Sequence, residues 1–219
     1  MSSCNALRHS RRSLALTADV ACIAVDMPIG FPDRALAGGR ECERLARARL
    51  RGRASCVFSS PCRRALDAAC YADANEINCD SSPDRRGLSR QSWSLFRYMN
   101  EIDRIMTPAL QERIVEAHPE LAFTALRDQV ARHGPDFQTL TRKRSDQGRA
   151  QRVELLRRTG FAELGRVQGI GGDLGARPDE VLDACVAAWS AARITAGTAG
   201  RLPAEPPKDA RGLPMEIWF

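Results

Sequence analysis

Four acidic residues stand where they could gather around a metal ion. Asp26 follows the apolar start of the stretch 23–34, and prolines and a glycine come directly after it. Glu116 also follows an apolar run, while Asp179 and Asp183 lie four residues apart and so project from one face of a helix. Carboxylate oxygens are the ligands that Mg²⁺ and Mn²⁺ prefer. If they converge, these acids would hold one or two such ions and support hydrolysis of a phosphodiester bond.

Each candidate also has a simpler interpretation. An Asp at the end of a strand often caps the next turn, and Asp179 near a helix start complements the helix dipole. His118 is either a metal ligand or general base, or it forms a hydrogen bond within a turn. Three basic residues either bind phosphate or line a solvated helix face; they are Lys143, Arg149 and Arg152.

Composition narrows the class of protein without deciding it. The formal charge of +6 comes mostly from arginine, which suits contacts with phosphate. An arginine-rich coding composition explains the same charge equally well. No pair among the 8 cysteines has CxxC spacing, so we expect reduced thiols and a cytoplasmic protein. We expect neither a signal peptide nor a membrane-spanning segment.

Hydrophobic patterning predicts alternating strands and helices. VACIAV (20–25) is typical of a strand covered on both faces, and a second strand is expected within 113–120. Helices are predicted over 41–50, 63–77, from Ser89 to before Pro108, over 145–160 and over 178–196. The stretch 54–61 reads as a short strand or extended loop, and the glycines of 169–178 separate the last two helices. The pattern is that of an α/β protein with a mainly parallel sheet.

Several blocks together resemble one known family. In order, they are IAVDMPIGFPDR, GRECERLAR, SCVFSSP, GLSRQSWSL, NEIDRIM, VEAHPELAF, KRSDQGRAQRVELL, PDEVLDACVAAWSA and GLPMEIWF. Each block is weak alone, but their order and spacing resemble those of the domain-of-unknown-function 429 family. The resemblance runs from about residue 20 onward. It implies a ribonuclease H-like fold and a predicted nuclease, which is an inference by analogy because one fold supports many activities.

The resemblance also assigns roles to individual residues. It makes Asp26, Glu116 and Asp183 metal ligands, with Asp179 auxiliary, and it implies Mg²⁺ or Mn²⁺ as the cofactor. His118 joins the catalytic set, and Lys143, Arg149 and Arg152 would meet phosphate. Further positions match recurrent polar residues of the family; they are Glu120, Arg40, Arg44, Ser89 and Gln91.

The start of the chain departs from the family pattern. Members usually begin with a strand that carries a first metal-binding Asp, and residues 1–19 contain no such sequence. We therefore expect an irregular or helical segment over 1–19, followed by a single ribonuclease H-like domain over 20–219, with a mixed sheet that is N-terminally incomplete. A late start codon, a truncated relative and completion by a partner strand all explain this. An exposed strand edge would then favour a homo-oligomer.

These features lead to two functional hypotheses. The first is a metal-dependent nuclease or phosphodiesterase scaffold, inactive if the first catalytic strand is essential, whose substrate is nucleic acid or a phosphorylated small molecule. The second is a non-catalytic member of the same fold that binds a nucleotide or a protein.

Overall fold

The chain divides into two compact units. The structure, a computed structural model, describes residues 19–131 and 139–219, so most of the expected 1–19 segment lies outside the described residues. The first unit comprises the described residues up to 23, Met27–Glu116 and Arg201–Ile217. The second comprises Ala24–Asp26, Ala117–Gly200 and Trp218–Phe219.

Short helices and 3₁₀ turns make up most of the first unit. In chain order its elements are β1 (Ile23–Val25, whose last two residues belong to the second unit), α1 (Glu41–Arg49), 3₁₀ turns at Ala54–Cys56 and Arg63–Asp67, α2 (Tyr71–Asp80), α3 (Arg90–Ile105), α4 (Pro108–Gln111), β2 (Ile114–Glu116) and β3 (Arg201–Leu202). Its apolar core gathers around Phe31, Cys62, Phe96 and Met99, all of which are buried.

Four helices make up most of the second unit. They are α5 (Pro119–Ala131), α6 (Asp146–Arg157), α7 (Leu164–Asp173) and α8 (Pro178–Thr195). Helix α8 packs against each of the other three, and its buried residues include Leu182, Cys185 and Trp189. Helix α5 places Leu121, Phe123 and Leu126 in the same apolar layer. The helices thus form the frame that carries the side chains of this unit.

The strands are few and short. The amide of Ile23 donates to the carbonyl of Arg113 at 2.7 Å, and the amide of Ala117 donates to the carbonyl of Val25 at 2.9 Å, which is the register of parallel strands. Ala117 also forms a parallel bridge with Trp218. The last strand is β4 (Ile217–Trp218), and Gly200 and Phe219 exchange two amide-to-carbonyl hydrogen bonds, as antiparallel strands do. Asp26 therefore lies directly after the paired end of β1.

The α/β class and most helices agree with the sequence prediction. Ser89 caps α3 by accepting from the amide of Ser92, and Ser145 caps α6 by accepting from the amide of Gly148. The helix predicted over 178–196 is present as α8. The ribonuclease H-like arrangement of the sheet stays a prediction.

Three local predictions were wrong, and a fourth was right in part. The strand expected over 20–25 covers only Ile23–Val25 and is half-buried rather than covered on both faces. The helix expected over 63–77 is a 3₁₀ turn followed by α2, and 54–61, expected to be a short strand or extended loop, begins with a 3₁₀ turn and continues without regular structure. The first half of the glycine-rich stretch, residues 169–173, belongs to α7, because packing against α6 and α8 outweighs the low helix propensity of glycine.

A buried arginine anchors the first unit. The Arg40 residue is 1% exposed, and its guanidinium donates to both oxygens of Glu116, at 2.6 and 2.8 Å, and to Glu43 at 2.8 Å. It also donates to the carbonyls of Ile29 and Gly30. A planar guanidinium with five donors satisfies this many acceptors at once. Arg40 thereby fixes the loop after β1 to the end of β2.

Glycine at position 39 makes this arrangement possible. Gly39 has a φ of +77°, and a Cβ built on it would stand 2.0 Å from a carboxylate oxygen of Glu43. That carboxylate accepts from the amide of Arg40 at 2.9 Å and from Ser60. A side chain at position 39 would therefore push Glu43 away from a buried cation, which is expensive in free energy.

We expect Gly39→Ala to destabilise the fold more than Gly52→Ala does. Gly52 has nearly the same φ, +76°, but an added Cβ there would meet nothing within 4 Å. Gly52→Ala should cost about 1 kcal/mol for the left-handed backbone alone. Gly39→Ala should cost about 3–5 kcal/mol, because it also disturbs a buried ion pair. Urea unfolding of both variants measures the difference, and equal losses would contradict the role given to Gly39.

Candidate active site

A lysine and three carboxylates come together in the second unit. Asp26 follows β1, Glu120 lies in the first turn of α5, Lys143 lies just before α6, and Asp183 lies on α8. The charges of Asp26, Glu120 and Asp183 all act on Lys143. Sequence positions more than 150 residues apart are thus coupled at one place.

Lys143 is held at this place by the segment that carries it. Its ammonium donates to Oδ2 of Asp183 at 2.6 Å. The Gly148 backbone lies so close to the segment that an added Cβ would stand 2.0 Å from the carbonyl oxygen of Arg142. The amide of Thr141 donates to Gln151 at 2.8 Å, which ties the segment to α6 on its other side. The segment that carries Lys143 is therefore held against α6 at both Thr141 and Arg142.

Arg152 pairs with Glu120. The Arg152 residue is 1% exposed, and its Nη2 donates to both carboxylate oxygens of Glu120, at 2.7 and 3.0 Å. Its Nη1 donates to the carbonyls of Thr141 and Gly148. Phosphate binding by Arg152 stays a prediction that this geometry does not favour, because the guanidinium would have to leave a buried carboxylate.

Two buried carboxylate oxygens on α8 accept no hydrogen bond from the residues that the structure describes. They are Oδ2 of Asp179 and Oδ1 of Asp183, and the two residues are 8% and 9% exposed. Oδ1 of Asp179 has only a distant cation, with the Nε of Arg177 at 3.6 Å. Buried carboxylates normally have donors or cations at each oxygen. These two oxygens are therefore available to a ligand with positive charge.

Burial raises the pKa of two carboxyl groups. Asp26 is accessible as a residue, but protein atoms around its carboxyl group remove water and raise its pKa to about 6; Lys143 lowers it and Glu120 raises it further. Burial also raises the pKa of Asp183 to about 6, against the hydrogen bond and charge of Lys143. Burial lowers the pKa of Lys143, but its carboxylate neighbours outweigh this and raise it. Asp26, Asp183 and Lys143 are therefore mostly ionised at neutral pH.

The donor set fits a hydrated divalent cation rather than a closed metal cage. Within residues 19–131 and 139–219, no three His, Cys, Asp or Glu side chains form a group that could hold a metal ion. Mg²⁺ commonly binds through one or two carboxylates and keeps several waters. Asp179 and Asp183 supply two such carboxylates one helical turn apart, with an unused oxygen on each.

Glu116 has a different environment. It is 5% exposed and lies in the first unit, where Arg40 and the amide of Ile29 donate to its oxygens. Burial raises its pKa to about 7, although Arg40 lowers it. Both oxygens already have donors, so this arrangement does not favour Glu116 as a metal ligand.

The other predicted residues have the following environments. His118 is half-buried directly before α5, and its carbonyl accepts from the amide of Ala122. Arg149 donates to the carbonyl of Arg144 and pairs with Asp146. Arg44 is on the exposed side of α1.

Ser89 and Gln91 line a cavity of the first unit. The cavity has a volume of about 600 Å³ and an open mouth, and its walls also include Phe58, Arg47 and Arg86. Ser89, Gln91 and Ser92 belong to the beginning of α3, where amide groups point outward and favour an anion. Ser89 and Gln91, which the sequence analysis names only as recurrent polar positions, thus line the same cavity.

Sequence reasoning missed Glu43 and named Glu120 only as a recurrent family position. Glu43 completes the environment of Arg40, and the spacing of Arg40 and Glu43 at a helix start is the signal that could have revealed it. Glu120 belongs to the Lys143 cluster, whereas Glu116, only four residues earlier, lies on β2 and pairs with Arg40. Pro119 begins α5 between them, so a strand carries the first acid and a helix carries the second.

These features define an α/β protein with an acidic cluster held around a half-buried lysine. The chain matches the family described as "Protein of unknown function (DUF429)" over residues 3–208. It belongs to this family, as its sequence blocks predict. No curated protein and no solved structure matches it. None of the helices in the described part of the chain has the length and apolar character to cross a membrane.

The raised pKa of Asp183 predicts how stability changes with pH. Between about pH 4 and pH 6 the folded protein keeps a proton that the unfolded chain has released, so stability falls as pH rises through this window. Asp183→Asn removes the contribution of Asp183 and leaves that of Asp26. Because one pKa unit corresponds to about 1.4 kcal/mol, we expect its melting temperature at pH 7.5 in chelator to exceed that of the wild type by several degrees.

Asp173→Asn is the matched control, because Asp173 is exposed at the end of α7. It should melt like the wild type from pH 4.5 to pH 7.5. A lower melting temperature for Asp183→Asn at pH 7.5 would show that the carboxylate stabilises the fold and would overturn the prediction.

Proposed function

We propose that the protein is a Mg²⁺- or Mn²⁺-dependent hydrolase of phosphodiester bonds, a nuclease or phosphodiesterase of ribonuclease H-like type. The observation that carries the proposal is the pair of buried oxygens on Asp179 and Asp183 without a donor, the second of which belongs to the carboxylate that pairs with Lys143. Nucleases of this chemistry use carboxylates to hold a cation against a phosphate. The ribonuclease H-like character comes from the family resemblance.

Asp179 and Asp183 would hold the cation. A bound divalent ion polarises a phosphoryl oxygen and lowers the pKa of its water. Asp183 is fixed in place by α8, and Lys143 binds its second oxygen, so the first oxygen keeps one orientation. This pre-organisation favours the ion without movement of the helix.

Asp26 is suited to accept a proton from an attacking water. No described residue donates a hydrogen bond to its carboxyl group, and a pKa of about 6 leaves it ionised but basic at neutral pH. Lys143 acts on its charge and keeps the carboxylate form accessible despite crowding. The proton would pass from water to an Asp26 oxygen and later to solvent.

The basic composition supports an anionic substrate, either nucleic acid or a phosphorylated small molecule. The cysteines in the described part of the chain are free thiols, in keeping with a cytoplasmic protein. Association of two copies through an exposed strand edge is part of the same proposal.

The cavity beside α3 favours a second candidate, a non-catalytic nucleotide-binding protein. Its polar walls, the helix start and the half-buried ring of Phe58 suit a phosphate and a base. This candidate does not need the carboxylates of the second unit.

Metal binding is tested by thermal unfolding with Mn²⁺ at pH 7.5. The wild type should gain about 5–10 °C at 100 times the dissociation constant, which corresponds to about 2.7 kcal/mol. Asp183→Asn and Asp179→Asn should lose most of this gain. Asp26→Asn should keep it, yet hydrolyse bis(4-nitrophenyl) phosphate and DNA or RNA about 10²–10⁴-fold more slowly, because it lacks the base.

Asp173→Asn again serves as the control and should retain both the Mn²⁺ gain and the hydrolysis. A wild type whose melting temperature ignores Mn²⁺ would refute the metal-dependent function. Equal loss of metal binding in Asp26→Asn would instead make Asp26 a ligand.

Nucleotide binding is tested separately with the same melting assay and AMP, ADP or ATP in chelator. If the second candidate holds, a nucleotide should raise the melting temperature of the wild type and of Asp183→Asn alike. Arg86→Ala with Gln91→Ala should remove the shift, whereas Arg85→Ala, next to the cavity but outside its walls, should not. Absence of any shift in the wild type would exclude this candidate.

A further inference from the structure

The acidic cluster contains its own cation. The ammonium of Lys143 lies 2.6 Å from Asp183, and its charge also acts on Asp26 and Glu120. The Lys143 side chain is 36% exposed and that of Asp183 is 12% exposed, so the pair is partly shielded from solvent. In sites with two metal ions, one carboxylate often lies between the two cations. Here Asp183 offers one oxygen to Lys143 and keeps the other unused.

The placement of Lys143 is built into the fold. The close approach of Gly148 to the Arg142 carbonyl leaves no room for a side chain there. Arg152 donates to the carbonyl of Thr141, so the buried Arg152 and Glu120 pair also holds the start of the segment. A surface lysine that pairs with an acid by chance lacks such support.

Charge balance indicates how many further cations the cluster needs. Together with Asp179, which lies one helical turn before Asp183 on α8, the described residues of the cluster supply four carboxylates, namely those of Asp26, Glu120, Asp179 and Asp183. Arg152 neutralises Glu120, and Lys143 neutralises one more. Arg177 is exposed and pairs with Glu180 at 3.0 Å, so these two residues balance each other. Two negative charges remain, and a single divalent ion balances them.

We propose that Lys143 is the resident cation of this cluster, that it takes the position of a second metal ion, and that the site therefore binds one divalent cation. The ion binds at the unused oxygens of Asp179 and Asp183. The inference rests on the proposed metal-dependent function for that single ion, but the role of Lys143 as internal cation stands on its own contacts.

The test is the number of Mn²⁺ ions bound per chain, measured by electron paramagnetic resonance of free Mn²⁺ and by native mass spectrometry. The wild type should bind one ion. Lys143→Met removes the ammonium without adding a donor and should bind two, because a third negative charge and the Asp183 Oδ2 oxygen become free. Lys143→Arg should restore binding of one ion.

Arg144→Met is the matched control, since Arg144 is the exposed neighbour of Lys143 and loses the same charge. It should bind one ion. If Lys143→Met does not fold, the counts for the wild type and for Lys143→Arg still decide, because two ions in either protein would overturn the inference.

The remaining outcomes separate the two proposals. One ion in both the wild type and Lys143→Met, at equal affinity, overturns the role of Lys143 and leaves the metal-dependent function intact. No ion in the wild type but one in Lys143→Met supports Lys143 as the resident cation and refutes metal-dependent hydrolysis. No ion in either protein overturns both.

Discussion

Buried charge is the constraint on which this structure depends. Arg40 and Arg152 have the largest fully buried side chains in the described residues, and each guanidinium donates to a carboxylate and to backbone carbonyls, although the Nε of Arg152 has no acceptor among these residues. Removing such groups from water is costly, and the cost is offset only when every partner is in place. The loops after β1 and before α6 follow from this requirement, because each contributes carbonyl oxygens to an arginine. The hydrogen bonds of the two arginines thus hold these loops in place, where no strand pairing among the described residues does so.

The carboxylates around Arg40 and those on α8 differ in whether all their oxygens accept hydrogen bonds. Around Arg40, both oxygens of Glu116 and of Glu43 accept hydrogen bonds. On α8, by contrast, Asp179 and Asp183 each keep an oxygen without a donor. A saturated cluster stabilises a fold, whereas an unsaturated one stores unfavourable energy that a ligand can relieve. This contrast separates the structural acids from the candidate functional ones.

The sequence predicted the helices better than it predicted the contacts between acids. Caps such as Ser89 and Ser145 act locally, so α3 and α6 could be placed from neighbouring residues alone. Asp26 and Asp183 could also be singled out as candidates from the sequence, because a strand end and one face of a helix are visible in the hydrophobic pattern. The charges of both act on Lys143. Glu116 was expected among them, but its partner is Arg40, 76 residues away, and no local pattern encodes that pairing. Lys143 was assigned to phosphate because its charge is visible in the sequence and its buried carboxylate neighbour is not.

The chain passes between its two units more than once, and this affects how it can fold during synthesis. Ala117 pairs with Val25, which the ribosome makes early, and with Trp218, which it makes about a hundred residues later. The first unit likewise includes Arg201–Ile217. Because Arg201–Ile217 belongs to the first unit and Trp218–Phe219 to the second, neither unit has all its residues until the end of the chain has been synthesised. The first unit therefore cannot complete its fold while the rest of the chain is being translated. Apolar segments that are synthesised early remain exposed until their partners are made, so this topology requires that the nascent chain be protected from aggregation.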